Sequence, residues 1–132
     1  MKEMHLASVQ AQTDAEQLAG EAVATWHDVW NALSPVIGAA GVAALFHRSV
    51  FLRAGEYPWL SNVSDSPPAG EFNSLRLALS QQRRDDAAAA NAALLQSLAQ
   101  VLGNLIGASL TTRLLQPVWE KHGNTPQDRS TE

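Results

Sequence analysis

Apolar residues recur at steps of three and four along much of the chain, which is the pattern of amphipathic helices. One apolar face predicts a helix over 14–33; it comprises Leu18, Ala22, Trp26, Val29, Trp30 and Leu33. Thr13 and Glu16 have the spacing of a capping box and mark the expected start of this helix. A second face predicts a helix over 40–54; it comprises Val42, Leu45, Phe46, Ser49 and Val50.

The segment between these two helices contains residues that interrupt helices. Gly38 and Gly41 each cost a helix about 1 kcal/mol relative to alanine. Ser34 and Pro35 form a second start signal, with a hydroxyl cap followed by proline at the first helical position. We therefore expect a break around 35–39. A stretch rich in Ser, Asp, Pro and Gly follows, and it predicts a long loop over 61–70.

The remainder of the chain also has a helical pattern. A helix is predicted over about 71–84, and the polar joint that follows it, residues 83–86, either starts a new helix or lies within a continuous one. From Ala87 to Gln116 there is no proline, so the pattern predicts one long helix over 87–116 that ends before Pro117. This helix is apolar nearly all round, which favours a central position or a place in a subunit contact.

A row of small residues runs along that helix. Ala99, Gly103 and Gly107 recur every four residues, so they form a groove that lets another helix approach closely. Two interpretations stay open: a crossing within the chain, against the small residues of 38–44, or a contribution to a homodimer.

These patterns together predict an all-α fold, a compact bundle of four to five helices with a long, apolar C-terminal helix. The single helical domain spans 14–120, between a flexible N-terminal segment (1–13) and a flexible tail (121–132). No segment has the alternation that strands require.

Composition excludes several classes of function. The chain has 132 residues and no cysteine, so thiolate metal sites, disulfides and cysteine nucleophiles are excluded. Its net charge of −4 provides no basic excess for nucleic-acid binding. Residues 1–70 have seven acidic and three basic residues and so carry the whole net charge, and their acids form either a solvated helix face or a docking surface for a basic partner. We found no secretory signal and no apolar run long enough for a membrane helix, so we expect a cytoplasmic location.

Candidate catalytic and metal-binding residues are sparse. The four histidines are His5, His27, His47 and His122, and no two are close enough along a helix to hold a metal together. His47 follows Phe46 within a helix. It is a candidate phosphoacceptor, or less directly a haem ligand, because the chain is similar in size and helical composition to histidine phosphotransfer domains. That family places a lysine and a glycine just after its histidine, whereas Arg48 and Ser49 follow here. We therefore expect no enzymatic activity, no metal and no cofactor.

Four tryptophans remain as candidates for recognition. Trp26 and Trp30 share a helix face, Trp59 precedes the loop, and tryptophan is frequent both in cores and at binding hot spots. The preferred hypothesis is a non-catalytic interaction or regulatory module of a bacterial-type cytoplasmic protein that is homodimeric, with signalling as one candidate role. The alternative is a ligand-sensing domain in which Trp26, Trp30, Phe46, His47 and Trp59 line a pocket for a small apolar molecule.

Overall fold

A computed structural model describes the backbone of residues 2–63 and 72–122 and the side chains of 14–61, 63 and 72–122. Every regular element in these residues is helical, which confirms the predicted all-α class. The elements are α1 (Lys2–Arg53), a 3-10 helix (Pro58–Asn62), α2 (Asn73–Ser80), α3 (Arg84–Ile106) and α4 (Ala108–His122). The joint at Arg83 therefore starts a new helix. The predicted loop lies outside the described residues, apart from residues 61–63.

Helix α1 is bent sharply at Gly38, whose φ of 83° and ψ of 157° are not helical. Trp26 precedes this corner and Phe46 follows it, yet their ring centroids are only 5.1 Å apart. The halves 2–37 and 39–53 therefore fold back on each other as a helical hairpin. The break that the sequence predicts at 35–39 is confirmed, and the backbone turns there at a single glycine.

A second corner lies at Gly107, with φ 94° and ψ 151°. Beyond it, α4 folds back along α3, so that a Cβ added at Gly103 would lie 3.9 Å from the Thr111 hydroxyl. The prediction of one helix over 87–116 is therefore wrong, and the long apolar helix of this chain is the N-terminal one. Both corners have the same sequence, Ile-Gly-Ala, at 37–39 and at 106–108.

The two hairpins lie side by side. Ala22 and Ala88 line the same cleft, and further along both helices Trp26 bonds to Asn91. The first half of α1 and α3 therefore run in parallel, and both glycine corners lie toward the same end of the bundle. Helix α2 packs against α1, while α3 packs against α1, α2 and α4.

An aromatic cluster occupies the core between the first hairpin and α2. Phe72, just before α2, has its ring centroid 5.1 Å from that of Phe46 and 5.8 Å from that of Trp26. The rings of His27 and Trp30 also meet Phe72 edge-on. Phe72 thus joins both halves of α1, and edge-to-face pairs of this kind add about 0.5–1.5 kcal/mol beyond their buried area.

Three predicted boundaries are wrong. Helix α1 begins at Lys2 and runs through the capping box, so Thr13 starts no helix; whether 1–13 is flexible stays a prediction. Pro117 lies inside α4, which continues to His122. Pro117 and Arg113 are both exposed, so water can satisfy the Arg113 carbonyl that proline leaves without a backbone partner. Lys121 and His122, expected in the tail, belong to α4.

Candidate functional site

The aromatic residues predicted to line a pocket do not form one surface. Trp26 and Phe46 are 0% and 2% exposed, and they pack on each other in the core. Trp30 is half-buried at the edge of the aromatic cluster, and Trp59 is half-buried beside Tyr57 in the 3-10 helix. Trp26 and Phe46 therefore contribute to core packing, and a ligand pocket lined by these aromatic residues stays a prediction.

His47 is placed differently. Its side chain is exposed on the second half of α1, next to the buried Phe46. Consecutive residues of a helix point about 100° apart, so a buried phenylalanine and an exposed histidine are compatible neighbours.

The small-residue row makes no close crossing with another helix at its glycines. Around Gly103, the nearest atom to an added Cβ is the Thr111 hydroxyl at 3.9 Å, an ordinary contact distance. Gly107 has nothing within 4 Å of an added Cβ, and its positive φ shows that it is there to turn the chain. Ala99 is half-buried on α3. The crossing with residues 38–44 is not seen at these glycines, and the dimer contact stays a prediction.

The end of α4 is held against α1 by a cluster of charged side chains that the sequence analysis did not predict. His122 Nε2 lies 2.5 Å from Asp28 Oδ2, and Lys121 Nζ lies 3.2 Å from the same oxygen. The hydrogen bond from His122, with help from Lys121, lowers the pKa of the Asp28 carboxyl, although partial burial acts in the opposite direction. Because 93 residues separate Lys121 from Asp28 in the sequence, no local pattern could have paired them.

A cleft of about 420 Å³ opens beside this cluster, between the first half of α1, α3 and the end of α4. Its walls include the side chains of Ala22, Ala88 and Ala92, whose small size leaves the space empty. Asn91 and Thr25, which also line it, are 8% and 2% exposed. The single asparagine in the alanine-rich segment 87–93 was the one sequence signal for this site.

A second feature is a set of large apolar side chains that are exposed to solvent, among them Phe51, whose ring centroid lies 5.8 Å from Arg48 Cζ. Phe51 is 66% exposed and Leu105 is 67% exposed, with Val36, Leu52 and Leu110 also open to solvent. Within the described residues, one helical stretch, Asp14–Arg53, is long and apolar enough to cross a membrane by length and composition alone. The mean hydropathy of its most apolar 18 residues is 1.6. Only 28% of these 18 residues are buried, and the helix is broken inside the stretch at Gly38.

Within the described residues, no group of three or more histidine, aspartate or glutamate side chains is arranged to hold a metal ion. Comparison with family models, with curated proteins and with solved structures found no match for this chain.

Proposed function

We propose that this chain is a non-catalytic interaction module of the cytoplasm that acts as a homodimer. The observation that supports this is the exposure of the most apolar stretch of the chain, of which only 28% is buried. Monomeric proteins rarely leave a large contiguous apolar surface open to water, and such surfaces mark interaction sites.

The outer face of residues 39–53 is the proposed contact surface. It comprises Ala40, Ala44, His47, Arg48, Phe51 and Leu52, all exposed. The half of α1 that carries it contains no acidic residue. Charged residues are depleted where subunits meet, so this face resembles an interface more than a solvated helix surface.

The distribution of small and large side chains along this face favours a second copy of the same chain as the partner. Small side chains lie at one end, Ala40 and Ala44, and the large ring of Phe51 lies at the other. An antiparallel pairing of two such faces places Phe51 over the partner's Ala40, and the same contact recurs by two-fold symmetry. Self-complementary contacts of this kind are what a two-fold dimer requires.

Phe51→Glu tests the proposal directly. The wild type should sediment as a dimer of twice 14.2 kDa at tens of micromolar concentration, and Phe51→Glu should sediment as a monomer with an unchanged circular dichroism spectrum. Leu77→Glu is the matched control, because Leu77 is 60% exposed on α2, outside the proposed face. That variant should remain a dimer.

Two outcomes would overturn the proposal. The first is a wild type that stays monomeric over the whole concentration range. The second is a monomer that floats with vesicles of neutral phospholipid and loses this association on Phe51→Glu, which would assign the face to a membrane surface instead of a second copy.

A further inference from the structure

The cleft between α1, α3 and α4 has a polar floor that the fold itself does not fully use. Asn91 Oδ1 accepts a hydrogen bond of 2.8 Å from Trp26 Nε1. Because an indole N–H can only donate, this bond fixes the orientation of the amide and leaves Nδ2 as the free donor. Among the residues that the structure describes, the bond from Trp26 is the one hydrogen bond of the Asn91 side chain.

Thr25 supplies a second buried polar group on the same floor. Its hydroxyl donates to the Glu21 carbonyl over 3.2 Å, so its oxygen lone pairs remain as acceptors toward the cleft. Asn91 and Thr25 both line the cleft, so the amide nitrogen of one and the hydroxyl oxygen of the other are available to a molecule that enters it. A ligand with both an acceptor and a donor can therefore bond to this floor.

The rim of the cleft carries charges of both signs. Lys121, on α4, provides an ammonium group, and Glu21, on α1, provides a carboxylate. Asp28 adds a second negative charge next to Lys121. A simple anion would meet two carboxylates and one lysine, so a ligand with one negative and one positive group suits the rim better than an anion does.

We propose that this cleft binds a small zwitterion of the amino-acid type with an apolar side chain. Its carboxylate faces Lys121 and Asn91 Nδ2, and its ammonium group faces the carboxylate of Glu21. The apolar part lies against Leu18 and the alanine walls. A volume of about 420 Å³ is within the range of small-molecule sites, about 300–1,000 Å³.

The interaction module proposed above does not depend on this site, because the cleft and the outer face of 39–53 share no residue. The two proposals can therefore fail separately.

Titration calorimetry with the twenty standard amino acids, on the full chain, tests the site. At least one apolar amino acid, for instance L-leucine, should bind. The matched probes 4-methylpentanoate and 3-methylbutylamine each lack one of its two charges, and each should bind about tenfold or more weakly, since hydrogen bonds to charged groups are the strong ones.

Two variants locate the binding. Glu21→Gln, at an exposed position, should weaken L-leucine binding about tenfold or more, whereas binding of the anion 4-methylpentanoate should stay the same or become tighter, because one repelling carboxylate is removed. Ala92→Leu should fill the cleft and remove binding of every probe, while unfolding as the wild type does. Glu16→Gln, on the same helix but outside this cleft, is the control and should change nothing.

Three results would overturn the inference. One is the absence of heat for all twenty amino acids at millimolar concentration. Another is equal affinity for L-leucine and 4-methylpentanoate, which would show that the ammonium group is not recognised. The third is unchanged binding in Ala92→Leu, which would place the ligand elsewhere on the molecule.

Discussion

Alanine at Gly107 should destabilise the protein although the space around its added Cβ is empty. Its φ of 94° and ψ of 151° lie in a region that only glycine occupies at low cost. Holding another residue there costs about 1–3 kcal/mol. No atom lies within 4 Å of the added Cβ, so steric contact contributes nothing and the cost is entirely that of the backbone.

Gly103→Ala is the matched comparison, and it should raise the free energy of unfolding where Gly107→Ala lowers it. Gly103 is inside α3, and its added Cβ would make only an ordinary contact of 3.9 Å with Thr111. Alanine is favoured over glycine within a helix by about 0.5–1 kcal/mol. The two variants should therefore differ by about 1.5–4 kcal/mol in the free energy of unfolding.

Urea denaturation followed by far-ultraviolet circular dichroism measures this difference. For a chain of this size, each kcal/mol should also move the melting temperature by about 3–5 °C. Every variant is compared at one protein concentration, because the stability of a dimer depends on concentration. A Gly107→Ala protein as stable as the wild type, or a Gly103→Ala protein less stable than Gly107→Ala, would refute the assignment of the corner to Gly107.

Three further changes test the core and the C-terminal cluster. Phe72→Ala should cost about 3–5 kcal/mol in urea denaturation, and a loss below 1 kcal/mol would contradict its role in joining both halves of α1. Trp26→Phe and Asn91→Leu should be coupled by about 1 kcal/mol in a double-mutant cycle, whereas strict additivity would mean that the hydrogen bond adds no stability. Asp28 has a lowered pKa, so its paired carboxylate stabilises the fold fully above the ordinary value of 3.8 and loses this effect as the pH falls through the folded value. The stability advantage of the wild type over Asp28→Asn should therefore shrink as the pH falls below about 4, and an advantage that grows with acidity in that range would show the opposite sign.

The helical class and the buried faces could be predicted because they depend on local periodicity. Val29 and Leu33 in the first half of α1, and Val42 and Val50 in the second, are all buried as their spacing indicates. The break near Gly38 was also predictable, because glycine disfavours the helix at its own position, whereas Pro35 lies inside the helix and does not form the break.

The corner at Gly107 was missed because a glycine within an apolar run has two roles. It can allow a close helix crossing or it can turn the chain, and spacing alone does not separate the two. Comparison of the two Ile-Gly-Ala segments would have helped, because the break was already predicted at the first of them. The row from Ala99 to Gly107 describes a single helix face only if the helix continues, and here it ends at Ile106.

The candidate site could not be predicted from the sequence, for a different reason. The fastening of His122 to Asp28 and the bond from Trp26 to Asn91 join residues that are far apart in sequence, and only the packing of three helices brings them together. Tryptophan and phenylalanine were predicted to be binding residues. Their large apolar area suits the core equally well, and the core is where Trp26 and Phe46 lie.

Because each corner consists of a single glycine, Gly38 or Gly107, the number of residues between the two helices that meet there cannot change freely. Only Gly107 lies between α3 and α4, so there is no loop that could accommodate an extra residue. Inserting one amino acid would rotate α4 by about 100° relative to α3 and carry the buried side chains of Leu115 and Trp119 away from the core. Exposed turns usually tolerate insertions. Gly38 and Gly107 are exposed, yet insertions and deletions should be poorly tolerated at both corners, so the spacing between helices is as constrained as the identity of the core residues.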